Sequence, residues 1–269
     1  MRMEGATLAP DVSYHTVVDH LQNLGLLPET TICAFASGSL VRGWGNATSD
    51  LDVVVISEKP WTSTTGTTTP VLLDPPALQW EHARLGELPL EVEYWTVSQL
   101  DQCLGKFAPA DEQVGAKPWV SLSHDERSFL ERLPYARPLA GDDHVEHYRR
   151  EFFESAFTHS FVCSSFDTMD GFVEDALGQV EAGDVRSAVL SIRLAFGHAI
   201  DALLAHSGQY GSRWPKWQAR RFAEARQSVV SDEEYWGIQT MADYDPADPG
   251  AWVFSVVRIC QRITTHVTI

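Results

Sequence analysis

The sequence predicts an α+β domain followed by an all-α domain. Short apolar, β-prone runs are confined to the first half of the chain, and after Pro138 long stretches of helical periodicity replace them. The 269 residues, 44 % of them hydrophobic, are enough for one large domain or two modest ones. We place the boundary near residues 139–143, which gives domains 1–140 and 141–269.

The elements of the first domain are predicted from the spacing of apolar residues. Residues 11–26 have helical spacing, and Gly25 can end that helix. The apolar runs 31–36 and 51–56 predict buried strands, and the runs 78–85 and 90–97 predict an antiparallel hairpin. The Thr-rich segment 61–70 predicts a loop, either a plain surface loop or a mobile flap. Helices are expected at 98–107 and after the capping box Ser123-x-x-Glu126, ending near Pro134.

The second domain contains only helical patterns. Long helices are predicted at 145–180, 184–206, 215–230 and 249–266, and Ser231-x-x-Glu234 caps one short helix. The acidic and histidine-rich start at 142–147 has some metal-ligand character. It is more typical of a solvated first helical turn, because acids there complement the helix dipole.

Charge and cysteine usage restrict the partners and the compartment. The formal net charge is −17, which disfavours nucleic acid and anionic membranes as partners. The acidity either only keeps the protein soluble or also steers cationic ligands to it. The four cysteines form no C-x-x-C pair, and we find neither a secretory signal nor an apolar run of about 20 residues. A cytoplasmic protein is therefore expected, and a homodimer is compatible with the sequence.

The segment between the first two strands carries the chemistry. Gly38 permits close approach of the backbone to a ligand, and Ser39 with nearby N–H groups could bind phosphate oxygens. Arg42 lies within one turn and could add a charged fork. Asp50 and Asp52 flank Leu51 at the start of the next strand, so both carboxylates face one side, where they could hold Mg²⁺.

A third carboxylate is predicted on the strand 90–97. Glu91 and Glu93 share a face of that strand by alternation. A charge inside an apolar strand needs a partner, and a metal beside Asp50 and Asp52 would be one. Glu93 is favoured because it lies deeper in the apolar run, and Glu91 is the alternative.

This pattern resembles the polymerase-β-like nucleotidyltransferase superfamily over residues 31–100. The shared features are Gly38-Ser39, Arg42-Gly43 and Ser49-Asp50-Leu51-Asp52, in that order. The resemblance implies a palm-like mixed sheet with flanking helices. It also implies two Mg²⁺ ions on the three acids, and an NTP, ATP above all, bound by Gly38, Ser39, Arg42 and Ser49.

The helical domain resembles that of the kanamycin-type, small-molecule nucleotidyltransferases more loosely. That likeness implies that helices wall an acceptor cleft and that Lys216 reaches the triphosphate. The alternative for the segment around Lys216 is a packing corner made by Trp214 and Trp217. Similarly, Arg193, His198 and Asp201 line a cleft, are satisfied core groups or lie at the edge of the solvent face.

The expected activity is transfer of AMP from ATP to a hydroxyl of a small molecule, such as a cationic aminoglycoside or a natural product. Two alternatives remain: a protein hydroxyl as the acceptor, as in antitoxin-like relatives, or a non-catalytic nucleotide-binding module. No P-loop or Rossmann signature occurs in the sequence.

Overall fold

The structure is a computed structural model that describes residues 13–63, 65–107 and 120–267. The backbone contacts divide these residues into two compact units. The first contains residues 13–63, 65–107 and 122–155, and the second contains residues 120–121 and 156–267.

The first unit is built on a six-stranded sheet with the order β3-β4-β5-β2-β1-β6. The strands are β1 (Thr31–Ser37), β2 (Leu51–Ser57), β3 (Thr67–Pro70), β4 (Ala77–Leu85), β5 (Leu88–Thr96) and β6 (Arg137–Ala140). The pairing of β2 with β5 is parallel, and all the other pairings are antiparallel. The sheet is therefore mixed, which confirms the predicted α+β class and the predicted hairpin.

One face of the sheet is a continuous apolar surface. Val53 and Val55 of β2 and Val92 of β5 are fully buried there, together with Val17 and Leu21 of α1 (Tyr14–Asn23). Side chains alternate along each strand, so the residues between them, including Asp52 and the two glutamates of β5, point to the opposite face. Burial of the valine-rich face thus fixes which side receives the acids.

The helices of the first unit begin at side-chain caps that the sequence encodes. The capping box Ser123–Glu126 opens α4 (His124–Arg132), as predicted, and Thr96–Gln99 opens α3 (Val97–Gly105) in the same way. Phe129 of α4 stacks on Trp95, with 4.2 Å between the ring centroids. This contact holds α4 against the face of the sheet that carries the acids. The remaining helices are α2 (Gly38–Val41) and α5 (Asp142–Glu154).

Three elements differ from the sequence-based expectation. The segment 61–70, predicted as a loop, contains β3, which pairs with β4. β6 was not predicted either, and both are four-residue edge strands with no fully buried residue, so they lack an apolar signal. The helix predicted at 145–180 is interrupted at Ser155, which is extended.

α5 packs on β1 and β6 and belongs to the first unit. The predicted division into domains 1–140 and 141–269 stays a prediction.

The second unit, within its described residues, has helices as its only long elements, as predicted. They are α6 (Phe157–Glu181), α7 (Val185–His206), α8 (Gln218–Ala225), α9 (Asp232–Thr240) and α10 (Pro249–His266). α7 packs against α6 and α10 and forms the centre of the unit. A single 3-10 turn, Pro215–Trp217, precedes α8, which is shorter than the predicted helix 215–230.

α7 corrects one expectation about membrane-length segments. Among the described helices it is the one with the length and apolar composition to cross a membrane, with a mean hydropathy of 1.5. In the structure, 61 % of that window is buried inside the protein. The core helix of a soluble protein has these same properties, and the cytoplasmic location stays a prediction.

Candidate active site

The turn after β1 and the first residues of β2 are in direct contact. Gly38 has φ of +82°, a left-handed conformation that favours glycine. A Cβ atom at this position would lie 1.6 Å from Oδ2 of Asp52. The carboxylate of Asp52 therefore occupies the space in which any other residue at position 38 would have a side chain.

Strand register places four polar residues in one row across the sheet. Ser37 of β1 is opposite Asp52 of β2, Asp52 is opposite Glu91 of β5, and Glu91 is opposite His82 of β4. Residues opposite each other in neighbouring strands point to the same face. The row therefore forms a polar strip along the face to which α4 is bound.

Ser37 is a fully buried polar residue of this row, and its hydroxyl has no hydrogen-bond partner among the described residues. Ser37 precedes the four-residue helix α2 but does not cap it through its side chain. A buried hydroxyl of this kind needs a water or a ligand atom to satisfy it.

The four acids near this row repel one another. Burial raises the pKa of Asp52 to about 7; the positive charge of Arg132 opposes that rise, and Asp50, Glu91 and Glu93 add to it. The pKa of Glu91 is raised by burial first and then by Asp50. The predicted partners Asp50 and Asp52 are thus close enough to interact, with Glu91 beside them.

Glu93 has a different environment from Glu91. It is 1 % exposed, its Oε2 accepts a charged hydrogen bond from Arg132, and its Oε1 accepts from the indole N–H of Trp95 at 2.8 Å. Burial acts to lower the pKa of Arg132, but Glu93 and Asp52 outweigh it and raise that pKa. Both oxygens of Glu93 are therefore engaged by protein groups, whereas Glu91 is only half-buried.

The sequence did not predict Arg132 as part of the site. It is the last residue of α4, and 39 positions separate it from Glu93. The one available signal was the need of a buried glutamate for a partner, and a metal and an arginine satisfy that need equally well.

The predicted phosphate-binding residues occupy three environments. Ser39 is half-buried on α2, and Ser49 accepts a hydrogen bond from the backbone N–H of Asn46 at 2.9 Å. The guanidinium carbon of Arg42 is 3.6 Å from the ring centroid of Trp44 and 3.8 Å from that of Tyr135. This stacking restrains the position of the guanidinium. The contact of these residues with a nucleotide stays a prediction.

Lys216 belongs to the second unit. Its ammonium is 5.7 Å from the ring centroid of Trp214 and 5.3 Å from that of Trp217. Lys216 itself is exposed. Its predicted contact with a triphosphate remains a prediction.

Two other polar candidates of the helical region, His198 and Asp201, are half-buried and contact neighbouring side chains. Asp201 accepts hydrogen bonds from Arg221 at 2.6 Å and from Gln218 at 3.1 Å, and Arg221 is 1 % exposed. The ring of His198 stacks on that of Phe172. The acids at 142–147 form the exposed first turn of α5, in agreement with the solvated-helix interpretation.

The donor set fits a hard divalent cation only in part. Asp50, Asp52 and Glu91 supply carboxylate oxygens, which Mg²⁺ prefers, and their mutual repulsion would be relieved by a cation. Within the described ranges, however, no group of three or more His, Cys, Asp or Glu side chains is arranged to hold a metal ion by itself. Mg²⁺ is commonly bound by one or two carboxylates with substrate phosphates, and these residues fit that mode.

Comparison with known proteins gives one distant structural match. No family model matches the chain, and no curated protein matches it in sequence. Solved structures that match include a nucleotidyltransferase-like protein from Exiguobacterium sibiricum 255-15, with 11 % identity and a TM-score of 0.44. The match covers 92 % of this chain and 74 % of that chain. At this level of similarity the functional assignment depends on the site itself.

The two glutamates of β5 should differ in their effect on stability. Glu93→Gln leaves the buried guanidinium of Arg132 without its counter-charge, so we expect the free energy of unfolding to fall by about 3 kcal/mol. Glu91→Gln removes a charge that its neighbours disfavour and should leave stability unchanged or higher. Thermal unfolding of both variants measures the difference, and equal midpoints would contradict it.

The raised pKa of Asp52 predicts a pH-dependent stability. The folded protein holds a proton on Asp52 up to about pH 7, whereas the unfolded chain releases it near the ordinary value of 3.8. The folded state therefore binds more protons between these values, and stability falls as pH rises through that window. In metal-free buffer, Asp52→Asn should raise the unfolding midpoint at pH 8, with a smaller gain at pH 5. Asp19→Asn, on the exposed face of α1, is the control and should show no such trend.

Proposed function

We propose that the protein is a magnesium-dependent nucleotidyltransferase that transfers a nucleoside monophosphate, AMP from ATP, to a hydroxyl of a small-molecule acceptor. The observation that carries this proposal is the contact between Gly38 and Asp52. It joins a turn suited to phosphate oxygens directly to Asp52 of the next strand, and Asp50 immediately precedes that strand. A phosphate in that turn would have carboxylates beside it.

The phosphate-binding part of the proposal concerns the chain from Ser37 to Arg42. Gly38 has no side chain, so the carboxylate of Asp52 packs directly against the turn. The hydroxyl of Ser39 can donate a hydrogen bond to a phosphate oxygen. The guanidinium of Arg42, held between two rings, contributes positive charge without the entropic cost of ordering a free side chain.

The metal-binding part of the proposal assigns Asp50, Asp52 and Glu91 as the ligands. Glu91 replaces Glu93 in this set, because Glu91 is directly opposite Asp52 in the sheet and Glu93 is engaged by Arg132 and Trp95. Bound Mg²⁺ would supply positive charge that polarises the phosphates and stabilises the leaving pyrophosphate.

The proposed reaction is an in-line displacement. The acceptor oxygen forms a bond to the α-phosphorus as the bond from that phosphorus to the pyrophosphate oxygen breaks. The hydroxyl proton passes to a carboxylate oxygen of the cluster. The net charge of −17 supports a cationic acceptor such as an aminoglycoside, since it raises the local concentration of cations.

Mass measurement after incubation with ATP and Mg²⁺ tests the proposal. With a panel of aminoglycosides and other polyhydroxylated amines, we expect one acceptor to gain the mass of AMP and pyrophosphate to appear in equal amount. Asp50→Asn and Asp52→Asn should lower the rate by about 100-fold or more, because a metal ligand contributes several kcal/mol. Asp19→Asn should retain the full rate.

The same assay separates the alternatives. A mass gain confined to added proteins would replace the small-molecule acceptor with a protein hydroxyl. Binding of ATP with no product from any acceptor would indicate a non-catalytic module. Full activity in Asp52→Asn would refute the role of the aspartate pair.

Substitution at Gly38 tests the contact that the proposal depends on. Gly38 and Gly86 both have positive φ, +82° and +59°, so Ala at either position incurs backbone strain of about 1–2 kcal/mol. Only at Gly38 does the added Cβ collide with Asp52, since nothing lies within 4 Å of the equivalent atom at Gly86. Gly38→Ala should therefore lower the turnover rate by about 100-fold or more, the same loss that is expected for Asp52→Asn. Gly86→Ala should retain the full rate. Equal losses would show that strain alone causes the effect.

A further inference from the structure

Arg132 is the cation that the structure places within the acid cluster, defined here as Asp50, Asp52, Glu91 and Glu93. Its guanidinium forms an ion pair with Glu93, and its charge acts on Asp52 and Glu91. Its Nε donates to the backbone oxygen of Ser128 at 3.2 Å, which orients the side chain along α4.

The position of Arg132 is fixed by the packing of α4. Phe129, one turn earlier in that helix, is fully buried and stacks on Trp95, the residue whose indole N–H also binds Glu93. The stacked rings hold α4 against β5 beside the ion pair, and the bond from Nε to Ser128 orients the Arg132 side chain toward Glu93.

The charges of the cluster set its attraction for cations. With all four acids ionised, the cluster and Arg132 together carry a charge of −3. A divalent cation at Asp52 and Glu91 would be attracted by the acids and repelled by the nearby guanidinium. The nucleotide triphosphate brings further negative charge, which offsets that repulsion.

We propose that Arg132 is a positioning residue that keeps the affinity of the acid cluster for free divalent cations low, so that metal is retained only together with a nucleotide. This inference depends on the proposed function and deepens it. Arg132 acts in two ways: its charge opposes the cation, and its ion pair holds Glu93 out of the ligand set. The buried hydroxyl of Ser37, without a partner among the described residues and opposite Asp52, independently indicates that a ligand atom or water belongs at this cluster.

Binding of Mn²⁺ followed by electron paramagnetic resonance tests the inference without turnover. In the absence of nucleotide, Arg132→Met should bind Mn²⁺ about tenfold or more tightly than the wild type, because a repelling charge is gone and Glu93 is released. Arg132→Lys keeps the charge and should remain near the wild type. Lys106→Met is the matched control, since Lys106 pairs with Glu126, outside the acid cluster. An unchanged or lower affinity in Arg132→Met would overturn the inference.

The double variant Glu93→Gln/Arg132→Met provides the test if the single variant does not fold. It removes one negative and one positive charge, so the cluster keeps its net charge of −3 and its affinity should stay near that of the wild type. If Glu93 were itself a ligand, the double variant would instead bind Mn²⁺ more weakly. Glu93→Gln alone should weaken binding, because the guanidinium is then less neutralised.

A non-hydrolysable ATP analogue distinguishes failure of the proposed function from failure of the role proposed for Arg132. The wild type should bind Mn²⁺ about tenfold or more tightly with the analogue than without it, and Arg132→Met should show a smaller difference. A wild type that binds Mn²⁺ in neither condition would refute the proposed function itself. A wild type that binds equally tightly in both conditions would refute only the role of Arg132.

Discussion

The structure of the candidate site depends on the contact of one carboxylate with one glycine. The side chain of Asp52 lies where a Cβ of Gly38 would be, and this is possible only because the chain turns at Gly38 with a positive φ. The antiparallel pairing of β1 with β2 brings the end of one strand beside the start of the other. Any residue larger than glycine would separate the turn from the aspartates.

The two faces of the sheet have different physical roles. The apolar face provides the stability of the unit through burial of its valines and of α1. That stability permits the opposite face to hold several buried or half-buried acids whose repulsion disfavours the folded state. Burial and, after it, the neighbouring acids raise the pKa of Asp52, and such local destabilisation is typical of functional sites.

Much of the first unit could be predicted because its signals are local. The valine-rich run of β2, the alternation along β4 and β5, and the Ser123–Glu126 capping box each specify an element from a few neighbouring residues. The edge strands β3 and β6 could not be predicted, because neither has a fully buried residue to produce an apolar pattern.

The site also has a part that local sequence signals predict and a part that only the tertiary structure determines. Gly38, Asp50 and Asp52 are close in sequence, so their proximity follows from one turn and one strand. Arg132 reaches Glu93 only through the tertiary position of α4, and no sequence spacing encodes that distance. A buried glutamate predicts a positively charged partner, but the choice between a metal and a guanidinium is decided by packing.

These constraints fall on only a few residues of the first unit. The contact requires a glycine at position 38 and carboxylates at a few strand positions, whereas the residues between them need only be apolar and of suitable size. The helix α4 adds one further requirement, a cation that can satisfy Glu93. Under the proposed role of Arg132, a change of that residue would alter the metal affinity of the cluster and leave the turn at Gly38 and the sheet in place. In the proposed function, metal affinity is therefore set separately from the turn proposed to bind phosphate.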